Sequence, residues 1–325
     1  MARLPLKQLL QENPKKVLVL DGGQGTELER RGIEVANPIW STIPFIDESF
    51  WSESSVERKI VKEMYSDFIK AGAEALMTVT YQASFKSVSD NTSIKTLSGY
   101  DSLLTRIVDF SRGCIGEDKY LIGSIGSWGA HICREFTGDY GPNPETIDYY
   151  EYFKPQLENF NKSSQIDLIA FETVPNIHEV KAILSWDNTV LSKPFYIGLS
   201  VGDNGLLRDG TTMAEIAEFI KSLGNKINPN FTFLGINCVS FNTSSNVLAS
   251  IHELLPDMPL LVYPNSGEVY DSEHKIWLPN GDKSNTWDLV VKRYIEAGAR
   301  LIGGCCRTTP QDITEVSEAV KKYTK

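Results

Sequence analysis

Residues 71–81 read Ala-Gly-Ala-Glu-Ala-Leu-Met-Thr-Val-Thr-Tyr, and residues 297–306 read Ala-Gly-Ala-Arg-Leu-Ile-Gly-Gly-Cys-Cys. In each, a glycine stands where a helix ends, a position that favours a residue without a Cβ. The chain then enters an apolar run that reads as a buried strand. Working outward, similar runs occur at 17–22 (VLVLDG), 120–126 (YLIGSIG), 167–173 (DLIAFET), 195–200 (FYIGLS), 232–239 (TFLGINCV) and 260–264 (LLVYP). With 75–81 and 300–306 these make eight predicted strands. Most are nearly continuous apolar stretches, as parallel strands covered on both faces require. Helices are predicted between them at 53–72, 101–116, 145–162, 177–187, 212–225, 244–255 and 285–297, with a last one at 310–323. In the first, Val56, Ile60, Val61, Met64, Phe68 and Ile69 recur at helical spacing and form one apolar stripe. The alternation predicts an α/β fold, a (β/α)8 TIM barrel, with residues 1–325 forming a single domain. A doubly wound open sheet is the rival, but it usually has fewer strands. Long loops are expected after the first three strands.

Composition narrows the function classes. The 42 acidic and 32 basic side chains leave a net charge of −10, and no lysine- or arginine-rich cluster interrupts the acidity. Nucleic acid is therefore not an expected partner. No apolar run is long enough to cross a membrane. The N-terminal stretch MARLPLKQLLQENPKK lacks the apolar core of a signal peptide and reads as a short surface helix. Five cysteines, an odd number, do not suggest a disulfide framework and point to a reducing, cytoplasmic setting.

Chemistry on a barrel sits at the C-terminal ends of its strands. Those ends carry Asp21-Gly22-Gly23, Thr80-Tyr81-Gln82, Gly126-Ser127-Trp128, Glu172-Thr173, Ser200, Asn237-Cys238, Pro264-Asn265 and Gly303-Gly304-Cys305-Cys306. Three of the five cysteines thus fall on one rim. Alone, a Cys-Cys pair reads as two buried small hydrophobes, or as a strained vicinal disulfide. Cys238, two strands away, adds a third sulfur, and Gly303-Gly304 would give the backbone freedom to turn both neighbouring thiols to one point. Three thiolates with an open fourth position suit one catalytic Zn²⁺ ion.

The ordered set Asp21-Gly22-Gly23-Gln24-Gly25-Thr26-Glu27-Leu28, Phe171-Glu172-Thr173, Gly235-Ile236-Asn237-Cys238 and Gly303-Gly304-Cys305-Cys306-Arg307 resembles the homocysteine S-methyltransferases, nearly end to end. Within that family it is most similar to fungal enzymes that use S-adenosylmethionine or S-methylmethionine. The resemblance implies a zinc barrel with Cys238, Cys305 and Cys306 as ligands, the fourth position going to solvent or substrate thiolate. It implies L-homocysteine as acceptor, a sulfonium as methyl donor and methionine as product. Only a thiolate is a competent sulfur nucleophile, and metal binding displaces the thiol proton. Oriented proximity can then supply several kcal/mol, on the order of 7–11 at best.

The resemblance assigns the Asp21-Gly22-Gly23 loop to the amino-acid end of homocysteine, with Asp21 and backbone N–H groups contributing, and Glu172 to its ammonium. Read without it, the loop is a glycine turn and Glu172 a barrel salt bridge. Asn237 orients a metal ligand or substrate, or caps a turn. Gln82 is a further candidate for substrate contact. Trp128, Phe136 and Tyr140 could face the donor cation or pack the loop, and Arg307 could meet a carboxylate or form a salt bridge. The histidines 131, 178, 252 and 274 are scattered. No additional protein partner is indicated.

Two other readings differ in what the cysteines do. A zinc hydrolase would recruit histidine or carboxylate ligands, and no histidine falls on a strand end. A non-catalytic zinc- or thiol-sensing barrel would close the site with a fourth protein ligand, for which Cys114 and Cys133 are the remaining cysteines.

Overall fold

The computed structural model describes residues 3–267, 269–271, 276–278 and 285–324. Eight strands, β1 (Leu18–Val19), β2 (Ala75–Met77), β3 (Tyr120–Gly126), β4 (Leu168–Val174), β5 (Phe195–Leu199), β6 (Phe231–Asn237), β7 (Leu260–Tyr263) and β8 (Ala299–Ile302), form one sheet. Its order is β1-β8-β7-β6-β5-β4-β3-β2, and every pairing in it is parallel. A parallel bridge between Leu20 and Ala75 brings β1 to β2 and joins the sheet's two edges. The result is the expected (β/α)8 barrel. A short antiparallel pair, Val269–Asp271 with Ile276–Leu278, lies after β7.

The two glycine junctions behave as their sequences require. The helix Val56–Ala71 starts with the Ser55 side chain accepting from the Arg58 amide. It ends at Gly72, whose φ of 108° is left-handed and whose N–H bonds back to Ile69 and Phe68. Gly298 repeats this at φ 84° before β8. A Cβ on Gly72 would also lie 2.7 Å from the Ser317 Cβ, so the junction is fixed by close packing as well as by torsion.

Several strands stop earlier than their apolar runs. After Met77 the Thr80 amide bonds to the Thr78 carbonyl, which turns the chain off the sheet. After Ile302 the Gly304 amide bonds to Asp21 and the Cys305 amide to Pro264, so the cysteines hang on the rim outside the regular ladder. The helices agree with expectation to within a few residues, as in Pro310–Tyr323 and Trp287–Glu296. Short helices at Gln24–Arg30 and Phe85–Asn91 fill loops that read as irregular.

Two apolar layers hold the barrel. One lies between strands and helices, and the other fills the barrel interior with Leu18, Tyr120, Leu168, Tyr196, Phe233 and Leu301 among others. The N-terminal helix Leu6–Glu12 is not a surface ornament. Leu6 is buried in the interior layer, and Leu9 and Leu10 pack against it, so the helix seals the end of the barrel away from the cysteines. Among the described residues, no helix is long and apolar enough to cross a membrane.

Candidate metal centre and substrate cavity

Cys238 directly follows β6, while Cys305 and Cys306 follow β8. Their sulfurs all lie within 4.8 Å of one another. Cys238 Sγ is 3.8 Å from Cys306 Sγ, which is 4.0 Å from Cys305 Sγ. Ligands on a tetrahedron with Zn–S bonds of about 2.3 Å stand about 3.8 Å apart, close to the two separations that Cys306 makes, so the donor set fits such an ion. Among the described residues no fourth His, Cys, Asp or Glu joins the group. Cys238 and Cys305 donate towards Cys306, holding the Cys306 thiol far below its ordinary value and raising the other two.

The backbone reaches this arrangement differently from expectation. Gly303 and Gly304 do not adopt positive φ; the left-handed residues are Cys238 (φ 51°) and Arg307 (φ 62°). The glycines are needed for space. A Cβ on Gly303 would lie 2.7 Å from the Asp21 carbonyl oxygen, and one on Gly304 would strike the Thr308 side chain. Cys238 pays about 1–2 kcal/mol for a left-handed conformation, and its amide bond to the Tyr263 carbonyl (3.2 Å) helps hold it there.

The cysteines open into a cavity of about 1270 Å³ at the C-terminal end of the barrel. Glu172, at the end of β4, is buried there. Its carboxylate accepts from Ser124 Oγ and from the Tyr263 hydroxyl (3.1 Å), and among the described residues no lysine or arginine pairs with it. Burial pushes its pKa up to about 8. Asp21, after β1, is buried too. It accepts from the Met77 amide (3.1 Å) and Gln24 Nε2 (2.7 Å), and burial likewise raises it to about 8, with the nearby Glu172 charge adding to the shift. Glu172, which lines the cavity and has no cationic partner among the described residues, forms a receptor for a cationic group, with the buried Asp21 carboxylate close enough to add its field. The salt-bridge reading of Glu172 finds no partner among the described residues.

Gly22 and Gly23 let the first loop pass close against the loop after β8. A Cβ on Gly22 would lie 2.7 Å from both Phe68 and the Thr308 carbonyl, and one on Gly23 would meet the Cys305 carbonyl. The Gly23 amide is already taken by Thr308, through Oγ1 at 2.9 Å and O at 3.1 Å. Asn237 acts through a neighbour. Its Oδ1 accepts from the Thr173 amide (3.0 Å) and its Nδ2 donates to Thr173 Oγ1 (2.8 Å). It thereby clamps Thr173 in a left-handed conformation (φ 58°) directly after Glu172. Gln82 lines the cavity with its amide donated to the Ala130 carbonyl (3.2 Å).

A family model described as Homocysteine S-methyltransferase matches residues 18–320. The chain belongs to the homocysteine S-methyltransferase family. It is 75% identical to Homocysteine S-methyltransferase 2 of Saccharomyces cerevisiae over the whole of both chains. It is 31% identical to the Homocysteine S-methyltransferase of Escherichia coli, over 95% of this chain and 96% of that one. The crystal structure of the E. coli homocysteine methyltransferase MmuM in its metallated form matches with a TM-score of 0.76 at 27% identity, covering 97% of this chain and 99% of that chain. Membership makes the protein an enzyme of this kind.

Within the family frame, other residues come into or leave the site. Phe136 lines the cavity, whereas the Tyr140 hydroxyl turns away to Glu179 and Trp128 packs edge-on against Tyr152. Tyr81 and Trp40, in edge contact at 6.0 Å, supply the aromatic wall instead. His131 faces the cavity with Nδ1 3.0 Å from Ser87 Oγ, while His274 lies outside the described residues. Cys133 is exposed at the cavity rim, and Cys114 is half-buried on the helix Leu97–Ile115, where desolvation raises its thiol to about 11. Glu135 and Arg208 also line the cavity without having stood out in the sequence, and Asn265 lines it from the expected rim. Each sits in a loop, where no periodicity marks which way a side chain points.

Proposed function

We propose that the enzyme transfers a methyl group from a sulfonium donor, S-adenosylmethionine or S-methylmethionine, to the thiolate of L-homocysteine, giving methionine, with one Zn²⁺ held by Cys238, Cys305 and Cys306. The observation that carries this is the three-sulfur cluster at tetrahedral spacing, opening into a cavity lined by the buried carboxylate of Glu172. When bound, zinc would hold the homocysteine sulfur as thiolate, the form in which it attacks. The metallated form described for the E. coli relative supports a metal at this place.

The remaining work falls to the chain's own groups. Glu172 receives the homocysteine ammonium, which replaces the proton that burial otherwise favours on the carboxylate. Asp21, tethered by Met77 and Gln24, adds a second negative charge and fixes the first loop. Gly22 and Gly23 allow that loop to pack against Thr308 and the Cys305 carbonyl, bringing the amino-acid end close to the sulfurs. Asn237 positions Thr173 and with it the end of β4. Donor methyl transfer needs no general acid or base, because a sulfonium leaves as a neutral thioether. The reduced cysteines fit a cytoplasmic setting.

The test is methionine formation from homocysteine with each sulfonium in turn, on zinc-loaded enzyme and on Cys306→Ala. Turnover with a sulfonium that disappears in the variant, together with its bound zinc, is the expected result. No methionine from either donor despite one bound zinc would refute the proposal and favour a non-catalytic thiol site.

A further inference from the structure

Two charged side chains in the cavity wall form no ion pair among the described residues, although Asp203 lies near enough to Arg208 to act on it electrostatically. Arg208, in the loop after β5, has an Nε shielded from solvent and without a hydrogen bond. Among the described residues no carboxylate comes within ion-pair distance of its guanidinium, which lies over the Phe136 ring at 5.7 Å. Glu135, the residue before Phe136, has a carboxylate that takes no hydrogen bond from another described residue. Burial raises its pKa to about 7 and lowers that of Arg208. Both line the cavity.

The loops that carry them are stitched together. Ser200 Oγ donates to the Glu135 carbonyl (2.7 Å), the Arg208 amide bonds to the Ser200 carbonyl (3.2 Å), and Asn176 Nδ2 donates to the Gly138 carbonyl (3.0 Å). Gly138 (φ 68°) backs onto the Arg208–Asp209 peptide, where a Cβ would lie 2.7 Å from the Arg208 carbonyl carbon. Opposite charges are thus preorganised on two linked loops of one cavity, with Phe136 under the Arg208 guanidinium. Unpaired buried charges are costly to a fold, and a ligand of matching charges relieves that cost. An α-amino acid, with one ammonium and one carboxylate, is such a ligand. Glu172 and Asp21 already serve one amino-acid end, and the methyl-transfer reading requires a second molecule in the same cavity.

We infer that Glu135 and Arg208 form a second amino-acid subsite, Arg208 taking the α-carboxylate and Glu135 the α-ammonium of the sulfonium donor, with Phe136 supporting the Arg208 guanidinium. This rests on the methyl-transfer reading. It makes the amino-acid head a determinant of donor choice: S-adenosylmethionine and S-methylmethionine share it, whereas simple sulfoniums lack it.

The experiment measures donor and homocysteine KM separately for the zinc-loaded enzyme, Arg208→Met, Arg208→Lys and Glu135→Gln, using whichever sulfonium turns over. It then repeats them with decarboxylated and deaminated forms of that sulfonium. Truncating one partner of a buried charge pair should raise donor KM about 30-fold or more in Arg208→Met, with homocysteine KM and bound zinc unchanged and Arg208→Lys in between. The unmodified enzyme should discriminate against the decarboxylated donor, and Arg208→Met should not. Glu135→Gln should likewise stop discriminating against the deaminated donor. Because the paired donor comparison uses each variant as its own reference, Arg208→Lys and Glu135→Gln carry the test if Arg208→Met does not fold. Unchanged donor KM, a rise confined to homocysteine KM, or discrimination that survives the substitutions would overturn the inference while leaving methyl transfer standing. Absence of turnover in the unmodified enzyme would instead remove the methyl-transfer reading and this inference together.

Discussion

Glu172→Gln should make the substrate-free enzyme more stable in alkaline solution while crippling its affinity for homocysteine. Glu172 is buried, has only two hydroxyl donors, and in the empty cavity has a pKa of about 8 against an ordinary 4.5. A group whose folded pKa is raised binds more protons in the native state, so stability falls as pH rises from the unfolded value to the folded one. The window is therefore about pH 4.5 to 8, and above it the loss is constant. Integrating one such group between pH 5 and pH 8.5 gives a loss of at most about 4 kcal/mol. Glutamine has the same shape and does not titrate, so this pH-dependent part vanishes. Against it stands about 1 kcal/mol for an imperfect match to Ser124 and Tyr263.

The net effect at pH 8.5 is a stabilisation of about 3 kcal/mol, against a small loss at pH 5. For a chain of this length it would raise Tm by about 5 °C. The assay is calorimetry of the metal-free, substrate-free enzyme and the variant across pH 5–9, beside homocysteine KM at pH 8. The ammonium loses a buried counter-charge in the variant, so KM should rise about 30-fold or more. A Tm difference that does not grow with pH would refute the raised pKa. An unchanged homocysteine KM would refute the role of Glu172 as ammonium receptor.

Four further outcomes follow from other parts of the structure. Cys238→Ser should weaken zinc binding and lower the Tm gained on adding zinc, as metal titration followed by calorimetry would show. Asn237→Ala removes both hydrogen bonds that hold Thr173 left-handed and should cost about 2–3 kcal/mol in denaturant unfolding, with a fall in kcat while bound zinc is retained. Gly72→Ala combines a positive φ with a Cβ placed against Ser317 and should destabilise by about 2 kcal/mol or more, without changing either KM. Glu179→Ala removes the acceptor for the Tyr140 hydroxyl and the Trp128 amide; it should loosen the loop bearing Glu135 and raise donor KM far more than homocysteine KM.

The barrel was legible because its signals are local. Gly72 and Gly298 mark helix ends by torsion, and continuous apolar runs mark strands buried on both faces. The three cysteines were legible because strand ends converge on one rim whatever the loops do. The detailed backbone was not, since left-handed conformations at Cys238 and Arg307 are imposed by tertiary hydrogen bonds rather than residue type. The N-terminal helix misled for a related reason. Its leucines have too short a repeat to announce a buried face, and what they bury against, Leu18 and Leu301, comes from opposite ends of the chain. Glu135 and Arg208 were invisible because a charged loop residue is ordinarily solvated, and only the packing of two distant loops removes the water.

That division has a functional logic. The groups readable from sequence, Asp21, Glu172, Cys238, Cys305 and Cys306, sit at or directly beyond strand ends, where the barrel itself fixes their mutual distances. Glu135, Phe136 and Arg208 are carried by loops that can change length and composition without disturbing the strands. In-line displacement at a methyl carbon demands that nucleophile, carbon and leaving sulfur be collinear, so the donor must approach from the side opposite the nucleophilic sulfur. On the proposed assignment, a rigid rim for the acceptor and a stitched pair of loops for the donor would meet that demand while leaving donor choice adjustable. The prediction that separates the two halves is a split in the kinetics: rim substitutions such as Glu172→Gln should act on homocysteine KM, and loop substitutions such as Glu179→Ala on donor KM. Variants on both sides that raised both constants equally would mean that the cavity binds its two substrates as one cooperative unit, and the argument for separate subsites would fail.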